Sequence, residues 1–102
     1  MSTLHTINKS PFERGSMASA FAHAVEGDAV LMIEDGVLGA RKTGAFSPTI
    51  VGRAGAVSIY ALGPDLAARG VKAEDVADGV TIVGYDGFVD LAATHDRVCA
   101  WL

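Results

Sequence analysis

Apolar residues in this chain fall into short runs whose period switches repeatedly between that of a strand and that of a helix. Thr3–Ile7 is a brief Thr/Ile-containing run and predicts a first strand. Asn8-Lys9-Ser10-Pro11 stops it, because Asn and Ser bond to nearby backbone and Pro fixes φ. From Ser16 to Val25 the spacing becomes helical. Met17, Ala20, Phe21, Ala24 and Val25 fall on one helix face, with Ser16 the expected N-cap and Gly27 the expected stop. Ala29–Ile33 is a continuous apolar run, as expected of a strand covered on both faces, and it ends in the turn Glu34-Asp35-Gly36. Val37–Lys42 predicts a short helix weakened by Gly39 and Gly44. Within Phe46–Arg53, Ser47-Pro48 predicts a helix start, Ser47 as cap and Pro48 at the first helical position. Ala56–Leu62 reads as a third strand, turned by Gly63-Pro64-Asp65, and Asp65–Arg69 as one or two helical turns closed by Gly70. Val80–Val83 reads as a fourth strand. Tyr85-Asp86-Gly87 reads as a break and Phe88–His95 as a helix with Phe88, Leu91, Ala92 and His95 on one face. Val98–Leu102 fits either a last strand or an apolar docking tail.

This alternation of apolar strands and helices predicts an α/β fold with a mostly parallel sheet. Right-handed crossovers should place helices on both faces, giving a small three-layer domain over residues 1–102. In such folds the functional loops gather at the carboxyl ends of the strands. Here these are Asn8–Phe12, Glu34–Val37, Gly63–Asp65 and Gly84–Gly87.

Composition narrows the class. The chain has 102 residues, 50% of them apolar and 20% charged, with a net charge of −4. A disordered chain would be less apolar and more charged, and a free-standing nucleic-acid binder would carry clustered Lys/Arg. A single cysteine excludes a disulfide scaffold. The longest apolar runs, Ala29–Ile33 and Val98–Leu102, fall far short of the roughly 18 residues of a membrane span. The opening residues show no basic segment followed by an apolar stretch, so no export signal and a cytoplasmic location are expected. A mean hydropathy of +0.33 is high for so small a chain. Part of the surface is therefore expected to be covered by other subunits.

Candidate chemistry is sparse. Cys99 is the single thiol, and its apolar neighbours Val98, Ala100 and Trp101 favour a buried, inert residue. His5, His23 and His95 lack metal-ligand spacing, so no metal is expected. His5 is expected to be a hydrogen-bonded structural residue, His23 to lie at a helix edge, and His95 near a helix C-terminus. Glu34 and Asp35 should point to opposite faces, with Asp35 shaping the turn or capping the next helix. No glycine-rich nucleotide motif follows the first strand. The loop Asn8–Phe12 could hold an anion through Lys9. Arg41-Lys42 and Arg53 could form a modest basic patch, though a solvated face is the simpler reading.

Particular strings then carry more than their classes. These are Leu4–Phe12, Glu26-Gly27-Asp28, Glu34–Val37, Tyr60–Gly70, Tyr85–Leu91 and the closing Trp101-Leu102. Together they resemble the DsrH/TusB family end to end, and the opening His5–Arg14 is closer to the DsrH branch of sulfur oxidisers than to TusB of tRNA thiolation. The resemblance implies a DsrEFH-like α/β subunit that joins DsrE/TusD-like and DsrF/TusC-like subunits in a heterohexamer. In that complex sulfur passes as cysteine persulfide, and the principal reactive cysteine lies on the DsrE/TusD subunit. DsrH-branch proteins often carry another cysteine in the first helix. The matching position here is Ala20, which cannot carry sulfur, and Cys99 matches no sulfur-carrying position.

The expected function is thus an accessory subunit of a cytoplasmic sulfur relay of the DsrH type, serving sulfur oxidation and handing sulfur to carrier proteins. It uses no cofactor, membrane or direct nucleic-acid contact. The alternatives are a TusB-type subunit in tRNA wobble-uridine 2-thiolation, a Cys99-dependent sulfurtransferase, and a small anion- or nucleotide-binding module using Asn8–Phe12.

Overall fold

The computed structural model describes residues 2–12 and 15–102; Glu13 and Arg14, the end of the opening string, lie outside them. Five strands, β1 (Thr3–Ile7), β2 (Ala29–Met32), β3 (Ser58–Leu62), β4 (Val80–Val83) and β5 (Arg97–Trp101), form one sheet in the order β4-β3-β2-β1-β5. Every pairing is parallel. The expected α/β class holds, and the tail resolves to a strand on the edge of β1.

The order explains the layering. From β1 to β4 the chain adds strands in one direction. Right-handed crossovers therefore put α1 (Ser16–His23), the 3-10 segment Glu34–Ala40, α2 (Ser47–Arg53), α3 (Gly63–Ala68) and the short 3-10 turn Ala73–Asp75 on one face. After β4 the chain returns across the whole sheet to reach β5. The same handedness puts α4 (Tyr85–Thr94) on the opposite face.

Two apolar layers of unequal size result. On the α1 face Ile7, Val30, Met32, Ile59 and Ala61 pack against Met17, Phe21, Val37, Ile50 and Leu66. On the α4 face Leu4, Ala29 and Leu31 are covered by Phe88, Leu91 and Ala92. Alternation along β2 sends Val30 and Met32 to one layer and Ala29 and Leu31 to the other, and all four are fully buried. This two-sided burial is why the run reads as continuously apolar. One helix cannot close its face of the sheet. No residue of α4 is fully buried, and Tyr85, Val89 and, on β5, Val98 remain exposed.

Local departures from the sequence reading have specific causes. α1 stops at His23 rather than Val25, whose N–H turns back to Asp28 and whose side chain is exposed. The chain then turns at Gly27, φ 92°, a backbone conformation that favours glycine. Gly15, not Ser16, occupies the N-cap, and the Ser16 hydroxyl donates to the Leu102 carbonyl. Phe46 takes the cap position expected of Ser47. The predicted helix at Val37–Lys42 is a 3-10 segment starting at Glu34, and Asp35 does not cap it. Tyr85-Asp86-Gly87 is the first turn of α4, not a break. A Cβ on Gly87 would lie 2.8 Å from the Val83 Cβ, so this glycine lets the helix start close against the end of β4.

Arg53 does not join Arg41 and Lys42 in a patch. Its guanidinium donates to the Phe21 and Ala24 carbonyls at 2.7 and 2.6 Å, closing the C-terminal end of α1. Charge-assisted bonds at a helix C-terminus are among the stronger ones. Arg53→Ala is expected to lower the unfolding free energy by about 1–2 kcal/mol, measured as a reduced urea midpoint with an unchanged slope.

Candidate functional site

The single thiol lies on β5, the sheet edge. Register pairs Cys99 with His5 and Trp101 with Ile7. Alternation sends all four to the α1 side, where Trp101 packs on the larger apolar layer. Cys99 is half-buried, not buried as its neighbours in sequence suggest. An edge strand has a partner on one side only, so an apolar sequence context does not guarantee cover.

The histidine beside Cys99 in register is already engaged. Trp101 Nε1–H donates to His5 Nδ1 at 2.9 Å, and His5 Nε2 lies 3.0 Å from Asp28 Oδ2. An indole nitrogen is a donor only. Nδ1 is therefore the acceptor, and Nε2 carries the proton and donates to Asp28. Neither imidazole nitrogen is left to deprotonate Cys99. His5 is the hydrogen-bonded structural residue expected from the sequence, and it is almost fully buried.

Asp28 is the hub of this network. Besides His5 it accepts the backbone N–H of Thr3 at 3.0 Å and of Val25 at 3.1 Å. Burial by itself would raise its pKa. The His5 side-chain bond and the two backbone bonds outweigh that effect and hold the carboxyl below its ordinary value. Trp101 is flanked by two imidazoles, His5 at 6.1 Å and His23 at 5.2 Å between ring centroids. Thus two of the three histidines meet at one indole. His95 lies apart at the end of α4, its Nδ1 against the Leu91 carbonyl. Sequence reasoning missed Asp28 and Trp101 as partners. The available signal was a carboxylate set directly before the most apolar strand, where an acid must be paired to be buried. Among the described residues no group of three His, Cys, Asp or Glu could hold a metal.

Ala20 lies midway along α1, fully buried on its inner face beside Met17 and Phe21. The carboxyl-end loops do converge, but on structural contacts. Glu34 has φ 49° and donates its N–H to Asp65 Oδ2 at 2.6 Å, while Asp35 accepts from Arg69 Nε at 2.9 Å. These contacts tie the loop after β2 to α3. In the first loop Ser10 Oγ accepts the Phe12 N–H, and the Asn8 side-chain oxygen is buried without a partner among the described residues.

The fold and the site together define a class: a three-layer, all-parallel α/β chain whose buried polar side chains hold the sheet together. Solved structures share that fold. The ychN protein of Escherichia coli superposes with a TM-score of 0.80 over 98% of this chain and 99% of its own, at 14% identity. A Methanobacterium thermoautotrophicum protein gives 0.78 over 97% of each chain, at 18% identity. In sequence, residues 9–98 match the family model described as DsrH like protein. Protein TusB of Pectobacterium parmentieri is 34% identical over 98 residues, 96% of this chain and 99% of that protein. Protein TusB of Escherichia coli K12 is 31% identical over the same shares. The chain belongs to the DsrH/TusB family.

Proposed function

We propose that this chain is an accessory subunit of a cytoplasmic TusBCD-like sulfur-relay complex, of the kind that supplies sulfur for 2-thiolation of the tRNA wobble uridine. The observation that carries this reading is the full-length similarity to proteins named TusB. It reverses the order of preference suggested by the opening string, which favoured the DsrH branch and sulfur oxidation. The DsrH-type role stands as the second reading, on the match to the DsrH-like family model.

The site supports an accessory role. In persulfide transfer a receiving thiolate attacks the outer sulfur of the donor persulfide, the S–S bond breaks and the donor leaves as a thiolate. Such a receiver needs a base or cation to favour its thiolate. The nitrogens of His5, beside Cys99 in register, are both committed elsewhere, and Ala20 has no thiol. The relayed sulfur then sits on a cysteine of a TusD- or DsrE-like partner. Exposed Tyr85, Val89 and Val98 on the thinly covered side of the sheet are surface that a partner subunit would bury. The acidic balance argues against direct contact with RNA. Among the described residues no helix is long and apolar enough to cross a membrane.

Co-expression with TusC- and TusD-like chains tests the assembly. One complex on size exclusion is expected, and separate migration of the three chains defeats the reading. In cells lacking the gene, restored 2-thiouridine marks the TusB role, whereas restored sulfur oxidation with unchanged tRNA marks the DsrH role. Cys99→Ser is expected to restore either activity as well as the parent chain does. Intact mass after exposure to a persulfide donor should show no sulfur of about 32 Da on this chain; a stable adduct together with a dead Cys99→Ser variant would make Cys99 a carrier.

A further inference from the structure

In a chain of net charge −4 with eight Lys and Arg, three of those cations line one cleft. Arg41 and Lys42 follow the 3-10 segment Glu34–Ala40, and Arg69 follows α3. With Thr43 they border a cavity of about 320 Å³, and among the described residues Asp75 is the one carboxylate lining it. The backbone beneath them is fixed. Arg41 pairs with Val76 in an antiparallel bridge, the Lys42 N–H donates to the Asp75 carbonyl at 2.6 Å, and the Ala77 N–H donates to the Ala40 carbonyl at 2.7 Å. Arg69 is oriented by Asp35 through Nε. Among the described residues no hydrogen bond or ion pair engages the side chains of Arg41 or Lys42. The cations stand together on a braced frame, which lowers the ordering cost of binding.

The cleft does not end at the charges. Gly70 and Val71 also border a second groove of about 500 Å³, whose walls include Leu66, Ala67 and Ile82. Gly70 carries no side chain where the two meet. Both volumes fall within the range of small-molecule sites, roughly 300–1,000 Å³. From this juxtaposition we propose that the paired cavities bind a phosphate-bearing small molecule with an apolar body, the phosphate on Arg41, Lys42 and Arg69 and the body along Leu66 and Ile82. The number of cations selects the charge class. One carboxylate is satisfied by a single bidentate Arg, whereas a phosphate dianion uses several donors at once. The loop Asn8–Phe12, the expected anion site, offers Lys9 alone.

The test is an amide NMR titration of the full chain at low salt with inorganic phosphate, phenyl phosphate, phenol and a short single-stranded RNA. Phosphate should shift Arg41, Lys42, Thr43 and Arg69 saturably. Phenyl phosphate should bind about tenfold more tightly, because its ring adds apolar burial, and should also move Val71 and Ile82. Arg41→Ala with Lys42→Ala should weaken both ligands at least about tenfold. Ile82→Ser should remove the advantage of phenyl phosphate and leave inorganic phosphate unaffected. Arg41, Lys42 and Ile82 are exposed, so these variants should keep the parent spectrum elsewhere; Lys42→Gln provides a milder check. No saturable shift at millimolar phenyl phosphate overturns the site. Tighter binding of the RNA overturns the assignment to a small molecule, and phenol binding as well as phenyl phosphate overturns the role of the cations.

Discussion

Asp28→Ala is expected to lower the stability of this chain by about 3–5 kcal/mol, since it leaves three donors unsatisfied at a cost of about 1–3 kcal/mol each when buried. The carboxylate accepts from His5, Thr3 and Val25 at once, so its loss orphans three donors at the point where β1, the end of α1 and the start of β2 meet. Against a total of about 5–15 kcal/mol for a domain, that is a large fraction. A chain of this size should lose about 15 °C or more in melting temperature. Asp28→Asn should fall between the two. Its amide keeps one acceptor oxygen but turns a donor toward the others. His5 cannot relieve the clash by changing tautomer without giving up the Trp101 bond. Thermal denaturation of the three proteins measures the order, and an Asn variant as stable as the parent would refute the account.

The same carboxylate sets an acid dependence whose sign is fixed. Its folded pKa lies below the ordinary value of 3.8. The stabilisation is therefore fully present above the unfolded pKa and is lost as pH falls through the folded one. The parent chain should begin to lose stability below about pH 5, with most of the loss below the unfolded value of 3.8. The Asp28→Asn variant, less stable at neutral pH, should show a flatter acid limb in urea unfolding. Parallel acid limbs would show that other groups carry the dependence.

Gly36→Ala is the second large effect, expected to cost about 3 kcal/mol or more through backbone conflict. A Cβ at Gly36 would stand 2.1 Å from the Ile7 carbonyl oxygen and 2.8 Å from its carbon. That oxygen accepts the Ile33 N–H at 2.9 Å. Moving it aside breaks the link between the ends of β1 and β2. Backbone cannot yield as a side-chain tip can, so the variant should be largely insoluble or melt far below the parent. Gly52 provides the contrast. It lies in α2 with nothing near an added Cβ, and Gly52→Ala should be neutral or stabilising by up to about 1 kcal/mol. If both alanine variants behave alike, the close approach at Gly36 is not the cause.

Much of the fold was legible because it is written in local period. The bounds of β1 and β4 follow from Thr3–Ile7 and Val80–Val83 alone, and β2 from its continuous apolar run. The misreadings share one origin. Gly87 reads as a break by propensity but serves as a contact point with Val83, and Ser16 reads as a cap but bonds the far end of the chain at Leu102. In each case a contact outside the residue's own helix overrode a local preference. The site was less legible. His5 and Asp28 are 23 residues apart and His5 and Trp101 are 96 apart, and no sequence pattern joins them.

By itself the sequence determined the class: short apolar strands alternating with helices, acidic and low in charge, with one thiol and no thiol at position 20. It also carried the family strings. Only the tertiary structure decided that β5 returns beside β1. That single placement sends α4 to the opposite face, leaves one side of the sheet thinly covered and sets Cys99 beside a histidine whose nitrogens are both occupied. The reason is physical. Period reports which residues seek burial, because a helix or strand repeats its own geometry. Which elements bury one another depends on the handedness of crossovers and on hydrogen bonds between distant residues, and neither leaves a local period.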